Sequence, residues 1–517
     1  MGIDCGFYHI MMSSASENNK RIAKNTLLLY VRQFFVLFIG LYTVRIVLDT
    51  LGTEDYGLYN IVGGVVALFS FFNSTLAAAS QRYFSYGIGI DDNEHLNKIF
   101  NMFMIIYFIV SILLLVVAET VGLWFLNNKL VIESSRLYAA NWVFQCSILT
   151  FIVTTLTIPY NALIIARERM NLYAYLSILD ICLKLSIVYV LQVATIDKLI
   201  VYSLLTLLVS MIVSSIYFFY CRKHYKESTF RVFWNKNLFK ELFNYTSWNL
   251  FGSIAQMTRI QGVSILLNLF FGTVVNASQA IAARIASTLN NFVLNFTTAI
   301  NPQITKYYAG GERQQAFLLA FRGIKISFFL LLLLSIPVIY SAPYLLSLWL
   351  KDVPEYTIIF TRLIIIDALV GCPTILLDTV AMANGKIKQY LSVIKSIELL
   401  NLPVSYIILK YGATPESVLY VSIILFIISL LLRIFLLNKI VNFPVRPFIK
   451  EVLVKLLLVS LFSFLAAYFI SVFLMQNIYG LIMMFIISFI ATLGVIFTIG
   501  ISGKERIYIF NYIRTKK

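Results

Sequence analysis

The feature that constrains this chain most is a series of long apolar stretches separated by short polar segments. Many stretches contain about 18 or more mostly apolar residues, the length that a helix needs to cross a hydrocarbon core about 30 Å thick. Of the 517 residues, 60% are hydrophobic and only 13% are charged, whereas soluble proteins carry about 25% charged residues. The period-two alternation of a membrane β-barrel is absent. The sequence therefore predicts an all-α integral membrane protein and excludes a soluble domain.

Fourteen stretches meet this length requirement, so we predict about fourteen transmembrane helices joined by mostly short connections. Their boundaries are good to about three residues. The predicted spans are residues 26–49, 57–81, 99–126, 137–165, 171–193, 199–220, 243–271, 277–304, 318–342, 358–383, 389–409, 415–437, 451–475 and 478–501.

The basic residues alternate between the two sides of the predicted helices. With both termini in the cytoplasm, the inner segments hold 28 lysines and arginines and the outer loops hold five. Cytoplasmic loops of membrane proteins are enriched in Lys and Arg, so this bias predicts an even number of spans with both termini inside. The net charge of +17 follows from this topology and does not indicate nucleic-acid binding.

The first six spans and the next six share an order of long helices and tight turns. An offset of 220 residues places Gly52 on Gly272 and Ala79 on Ala299. We predict two six-helix bundles related by a pseudo-two-fold axis along the membrane normal, with the substrate site between them. The predicted parts are a polar cytoplasmic N-terminus (1–24), an N-terminal bundle (25–220), a basic cytoplasmic linker (221–241), a C-terminal bundle (242–438), and two extra helices with a basic cytoplasmic tail (439–517).

The N-terminal segment 1–24 lacks the charged-then-apolar pattern of a secretory signal. It is polar, and we expect it to be disordered. The sequence leaves Met1, Met11 and Met12 open as the start of translation.

Soluble-enzyme motifs are absent from the sequence. It contains no GxxxxGK[ST] phosphate loop and no HExxH motif, and its three histidines lie outside the predicted spans. Its five cysteines are scattered, with no disulfide or metal-binding spacing. A membrane-bound polymerase or ligase would need a large outer loop, and the predicted outer loops are short. We therefore predict neither an enzyme nor a bound cofactor or metal.

Four arginines within the predicted spans are the candidate substrate-binding residues. An arginine at the centre of a membrane helix costs about 2.5–3.5 kcal/mol on insertion scales, so such a residue needs a partner or a function. Arg32 lies inside the first span, Arg259 near the centre of the seventh and Arg284 in the eighth. Arg45 lies near the outer end of the first span, where Asp49 is four residues away. For each arginine, the alternative to a cationic cavity wall is a structural pair with a carboxylate on another helix.

Intramembrane carboxylates are candidates for ion coupling, because an unpaired membrane carboxylate can carry a proton or bind sodium. Asp367 and Asp378 lack a local basic partner apart from Arg362 near the outer end of the span. Asp180 is a third candidate. Two pairs at helical spacing are expected to neutralise each other locally: Asp180 with Lys184, and Lys395 with Glu398. Asn73, Asn290, Asn291 and Asn295 either line the path or join helices.

Four phrases resemble the bacterial Wzx-type polysaccharide flippases of the multidrug/oligosaccharidyl-lipid/polysaccharide exporter superfamily. They are VLDTLGTEDYGLYNIVGGVVALF at 47–69, IPYNALIIARERMNLYAY at 158–175, AINPQITKYYAGGE at 299–312 and ANGKIKQY at 383–390. The resemblance implies a V-shaped pair of bundles in the bacterial inner membrane. It also implies an undecaprenyl-diphosphate-linked oligosaccharide as substrate, cationic cavity residues and drive by an ion gradient. Expected partners are this lipid-linked oligosaccharide, membrane lipids, and the polymerase and chain-length machinery of surface polysaccharide synthesis, with no nucleic acid.

Two alternatives within the same superfamily remain open. A cation-coupled multidrug exporter would require cavity carboxylates for cationic drugs, and the only acid associated with the first span is Asp49 at its outer end. A flippase for the peptidoglycan precursor would use the same diphosphate chemistry with a different sugar.

Overall fold

The computed structural model describes most of the chain. The described ranges are residues 3–67, 69–128, 132–193, 195–350, 353–385, 387–473 and 477–501. Some side chains within these helices lie outside the described part, among them those of residues 3–20 and of Arg45. The described residues form helices and no strand, which confirms the predicted all-α class.

Sixteen α-helices make up the described part of the chain. They are α1 (Ile3–Ala67), α2 (Ser70–Gly89), α3 (Asn93–Val117), α4 (Leu123–Asn128), α5 (Leu137–Ala166), α6 (Met170–Val193), α7 (Lys198–His224), α8 (Lys236–Ala309), α9 (Arg313–Trp349), α10 (Thr357–Asn384), α11 (Ile387–Leu399), α12 (Asn401–Lys410), α13 (Ser417–Val441), α14 (Val445–Phe448), α15 (Val454–Phe473) and α16 (Ile478–Val495). Single π-helical turns join α3 to α4 and α14 to α15.

The chain divides into two compact units, Met1–Leu250 (unit 1) and Phe251–Lys517 (unit 2), and the division falls inside α8. In unit 1, α5 packs against α2 and α7, and α1 packs against α6. In unit 2, α10 packs against α9 and α13, while α15 and α16 pack against each other and against α9. The domain boundaries derived from the sequence remain predictions.

Eleven helices among the described residues are long and apolar enough to cross a membrane, so the predicted number of fourteen is not confirmed. The remaining predicted spans fall on residues 57–81 and on the two segments of α8. The second α8 segment contains the polar run NNFVLNFTTAINPQ, which lowers its mean hydropathy because Asn, Thr and Gln interrupt the apolar residues.

Both α1 and α8 are interrupted at one glycine. The backbone angles are φ 82° and ψ 168° at Gly52, and φ 79° and ψ −169° at Gly272. This combination is essentially restricted to glycine. The two kinks are separated by the 220-residue offset seen in the sequence. The sequence predicts a tight turn between the first and second spans and another between the seventh and eighth. In the structure each of these turns is a kink at a single glycine, and the helix continues on both sides of it.

The expected disorder of residues 1–24 is wrong for the described residues, because α1 begins at Ile3. Residues 3–24 contain Met, Ala, Glu, Lys and Arg and no proline. These residues favour a helix, so the helix of the first span continues towards the N-terminus.

Ion pairs fix the connections of unit 1. Arg136, directly before α5, binds Asp55 (Nε to Oδ1, 2.9 Å) and Asp197 (Nη1 to Oδ2, 2.6 Å). The hydrogen bonds to Asp55 raise the pKa of Arg136.

In the basic linker, Glu227 accepts a hydrogen bond from Arg167 Nε at 3.0 Å. Arg231 donates its backbone N–H to a side chain of α3 at 2.8 Å. The linker is therefore held against the ends of α3 and α5.

Candidate functional site

Arg259 on α8 has a carboxylate partner, Asp367 on α10. Arg259 Nη1 lies 3.6 Å from Asp367 Oδ2 and donates to Ser422 Oγ at 2.8 Å. Ser422 in turn donates to Asp367 Oδ1 at 2.8 Å. The guanidinium also lies over the ring of Phe426, 4.4 Å from its centroid. The structural pair that the sequence left open for Arg259 is thus present, and its N–O separation is long for a direct hydrogen bond.

A tighter group surrounds Arg433 on α13, whose side chain is 1% exposed. Arg433 Nε donates to Asp378 Oδ1 at 2.9 Å, and its Nη2 donates to Glu398 Oε1 at 2.9 Å. Tyr390 donates its hydroxyl to Asp378 Oδ1 at 2.5 Å. Lys395 donates to Glu398 Oε2 at 2.8 Å, as the sequence spacing predicts. Asp378 is therefore held by two donors from other helices.

Positive and negative groups balance in these two clusters. The cations are Arg259, Lys395 and Arg433, and the carboxylates are Asp367, Asp378 and Glu398. Removing one member of a buried ion pair costs about 3–5 kcal/mol, because the charge left behind has no compensation. Within each cluster, the charged groups therefore depend on one another for stability.

Arg433 is not among the site residues that the sequence predicts. Its signal in the sequence is its isolation within α13, where the run SVLYVSIILFIISLLLRIFLL contains no other charged residue. An intramembrane charge in such a run indicates a partner on another helix. The two acidic partners lie 55 and 35 residues away, so sequence spacing could not identify them.

Arg284 lies on a polar, exposed face of the second segment of α8. It forms no ion pair with any carboxylate that the structure describes. Ser287, Thr288 and Asn291 are exposed with it, and the spacings of three, four and seven residues place all four on one side of a helix. Small apolar side chains on the opposite side are buried, including Ala282 and Ala286. The burial pattern is the reverse of that of a lipid-facing helix.

The other sequence candidates lie in unit 1. Arg32 lies over the ring of Tyr173, with 4.9 Å between the guanidinium carbon and the ring centroid, and donates to Gln33 Oε1 at 3.3 Å. Lys184 donates to Asp180 Oδ2 at 2.8 Å, which is the local pair that the sequence predicts. The side chain of Arg45 lies outside the described residues, so its pairing with Asp49 remains a prediction.

A comparison with known families assigns the chain to one of them. A family model described as "Polysaccharide biosynthesis protein" matches residues 22–308, which is more than half of the 517 residues. This chain belongs to the polysaccharide biosynthesis protein family. Membership confirms the resemblance that the phrases at 47–69 and 158–175 indicated. No curated protein matches the sequence.

Solved structures of the same fold are MATE and MOP superfamily transporters. A MATE in the bent conformation has 14% identity and a TM-score of 0.71, covering 84% of this chain and 96% of its own. An outward-facing multidrug resistance MATE family transporter of the MOP superfamily has 13% identity and a TM-score of 0.69, covering 82% and 95%. A MOP superfamily transporter from Pyrococcus furiosus, described by the reverse polarity of its binding pocket, has 13% identity and a TM-score of 0.67, covering 83% and 96%. At these identities the similarity establishes the fold.

Proposed function

We propose that this multi-pass membrane protein moves undecaprenyl-diphosphate-linked oligosaccharide repeat units from the inner to the outer leaflet of the bacterial cytoplasmic membrane. The polymer made from them would be O-antigen, capsule or exopolysaccharide, and the flipped unit would pass to the polymerase and chain-length machinery. In this proposal the protein is a transporter, not an enzyme, and both termini lie in the cytoplasm. Family membership supports the pathway, and the polar face of α8 around Arg284 is the observation that carries the transport role.

The sequence predicts that this segment of α8 crosses the membrane, where an exposed polar face requires water or a polar ligand beside it. From Gly272 to Ala309 the helix has 37 further residues, or about 55 Å at 1.5 Å per residue, which exceeds the hydrocarbon thickness of about 30 Å. An arginine facing lipid in this segment would cost several kcal/mol. A bound diphosphate would offset this cost, because the guanidinium group binds phosphate oxygens bidentately and keeps its charge when desolvated.

The neighbouring side chains suit the remainder of the substrate. The hydroxyls of Ser287 and Thr288 donate to the backbone carbonyl oxygen of Arg284 at 2.8 and 3.0 Å, which leaves their oxygens able to accept from sugar hydroxyls. The amide of Asn291 can both donate to and accept from such hydroxyls. The prenyl chain would stay in the lipid, so only the charged and polar part needs the polar face. Arg32, over the face of Tyr173, is the cationic contact that we propose for a phosphate group within unit 1.

Asp367 is the carboxylate that we propose for ion coupling. It neutralises Arg259 across 3.6 Å, so protonation of Asp367 would leave the arginine free to attract an anion. Proton binding to Asp367 would then change the affinity for the anion, which is the requirement for coupling. Asp378 is less suited because Arg433 and Tyr390 already hold it, and Asp180 is paired with Lys184.

The test is surface polymer production in cells whose own copy of the gene is replaced by a variant. We expect Arg284→Ala to lower polymer export about tenfold or more, since a charge-assisted contact to phosphate contributes at least about 1.4 kcal/mol. The matched control is Arg322→Ala, which removes an exposed arginine of α9. Membrane levels of each variant are measured by immunoblotting. Normal export by Arg284→Ala would overturn the role of this face.

The coupling proposal has its own variants in the same cells. Asp367→Asn resembles the protonated carboxylate permanently, so export should fall and lose its dependence on the proton gradient. Asp180→Asn is the comparison, because its carboxylate has a partner one turn away. Export by Asp367→Asn that still follows the proton gradient would remove Asp367 from coupling without affecting the flippase proposal. A variant that lowers drug resistance while polymer is unchanged would favour the multidrug alternative.

A further inference from the structure

Unit 2 contains a second polar space, separate from the α8 face. A cavity of about 500 Å³ lies where α9, α10, α15 and α16 meet near their ends. This volume is within the range of small-molecule pockets. The polar residues that line the cavity include Tyr340, Ser341, Tyr344, Arg362, Ser471 and Asn477. None of the residues that line it in the described structure is a carboxylate.

Arg362 is held in place and still has donors to spare. Its Nε donates to the backbone carbonyl oxygen of Ile339 at 3.1 Å, which fixes the guanidinium between α9 and α10. Its two Nη groups have no hydrogen bond or ion pair with the residues that the structure describes. A fixed arginine with free Nη groups presents a pre-oriented cation to the cavity.

The other polar groups add donors around this cation. Asn477 uses its Oδ1 to accept the backbone N–H of Gly480 at 2.7 Å, so its amide N–H groups remain available. Ser341 and Tyr344 contribute hydroxyls. The hydroxyl of Tyr340 donates to the carbonyl oxygen of Phe464 at 2.9 Å, which fixes its ring as a wall. The cavity therefore combines one arginine with several hydrogen-bond donors, and no carboxylate in its described lining neutralises the arginine. This combination is typical of an anion-binding site.

The position of the cavity identifies the kind of anion. α9 ends at Trp349 and α15 ends at Phe473, while α10 begins at Thr357 and α16 begins at Ile478. All four ends lie on one side, so the cavity is at the level where a membrane helix meets water and where lipid phosphates lie. Tyr468 beside it is 55% exposed, an aromatic side chain of the kind found at headgroups.

We propose that this cavity binds the phosphate of an anionic membrane lipid. A phospholipid headgroup and an isoprenoid phosphate share this chemistry, and the experiment separates them. The proposal does not depend on the flippase proposal, because it concerns different helices and a different arginine.

The test measures thermal unfolding of the purified full-length protein in neutral detergent with added lipid. We expect phosphatidylglycerol or undecaprenyl phosphate to raise the melting temperature and phosphatidylcholine to have little effect. In Arg362→Gln the apparent affinity for the anionic lipid should fall about tenfold or more. The matched control, Lys410→Gln, removes an exposed charge at the end of α12 and should respond like the unmodified protein. The lipid with the stronger response identifies the source of the phosphate.

If Arg362→Gln does not fold, two further variants test whether the cavity binds lipid. Arg362→Lys keeps the charge without the bidentate fork, and Ser341→Trp reduces the volume of the cavity while Arg362 is unsubstituted. Lipid retention in native mass spectrometry should fall in both variants, and more in Ser341→Trp, because lysine still binds phosphate as a point charge. Equal responses to anionic lipid and phosphatidylcholine, or unchanged retention in these variants, would overturn the proposal. So would an equal, Arg362-dependent stabilisation by inorganic phosphate alone, since the ligand would then be a free anion.

Discussion

Arg433 and Arg284 are both arginines within long helices of unit 2, yet their surroundings differ. Arg433 is enclosed by Asp378, Glu398 and Ser429, whereas Arg284 is exposed among hydroxyl and amide side chains. A cation that is 1% exposed and lies between two carboxylates is already neutralised and is not accessible to a ligand. We therefore interpret Arg433 as structural and Arg284 as a ligand contact.

This interpretation predicts that Arg433→Met destabilises the protein. Two buried carboxylates would lose their shared partner, at a cost of about 3–5 kcal/mol, and the melting temperature in detergent should fall by several degrees. The combined variant Arg433→Met, Asp378→Asn should recover part of the loss, because Lys395 still neutralises the remaining acid, Glu398. A melting temperature equal to that of the exposed-site control Arg322→Met would show that the network does not stabilise the fold.

At the scale of the element, the long helices α1 and α8 depend on their glycine kinks. Neither glycine has an atom near the position that a Cβ would take, so space does not select the residue. Glycine is required because φ is positive and ψ is near 180°, a conformation that is costly for any residue with a side chain.

Gly52→Ala and Gly272→Ala should each lower stability by about 1–3 kcal/mol, seen as a lower melting temperature. Gly494→Ala is the matched control, because this glycine is exposed within α16 and likewise has no atom within 4 Å of the place where a Cβ would lie. With helical backbone angles, the control should be neutral or slightly stabilising. If all three variants melt alike, the kinks are not conformationally demanding.

At the scale of the whole molecule, the prediction concerns orientation in the membrane. The bias of lysine and arginine places the linker inside and the end of α12 outside. The side of the membrane can be measured with single cysteines in a protein that lacks its own cysteines. Suitable positions are Lys240 and Lys410, which are both exposed.

A membrane-impermeant thiol reagent added to intact cells should label Lys410→Cys. It should label Lys240→Cys only after the membrane is permeabilised. Labelling of Lys240→Cys from outside would reverse the orientation and with it the inward position of both termini.

Much of the fold could be predicted because its signals are local. Long apolar stretches predict helices by composition alone, and the glycines at 52 and 272 mark equivalent kinks in two helices that begin the two halves of the chain. The N-terminal segment 1–24 is where this reasoning fails. Its polar composition suggests disorder, whereas the helix of the first span continues through its described residues, because a polar segment without proline can extend a helix that has already begun.

The membrane class, the family and the ion pairs one helical turn apart follow from the sequence alone. These pairs are Asp180 with Lys184 and Lys395 with Glu398. Which isolated arginine is neutralised depends instead on the packing of the helices. Arg259 meets Ser422 across 163 residues, and Arg433 meets Asp378 across 55. The physical reason is range: hydropathy and helical spacing act within a segment, whereas the compensation of a buried charge depends on which helix packs beside it.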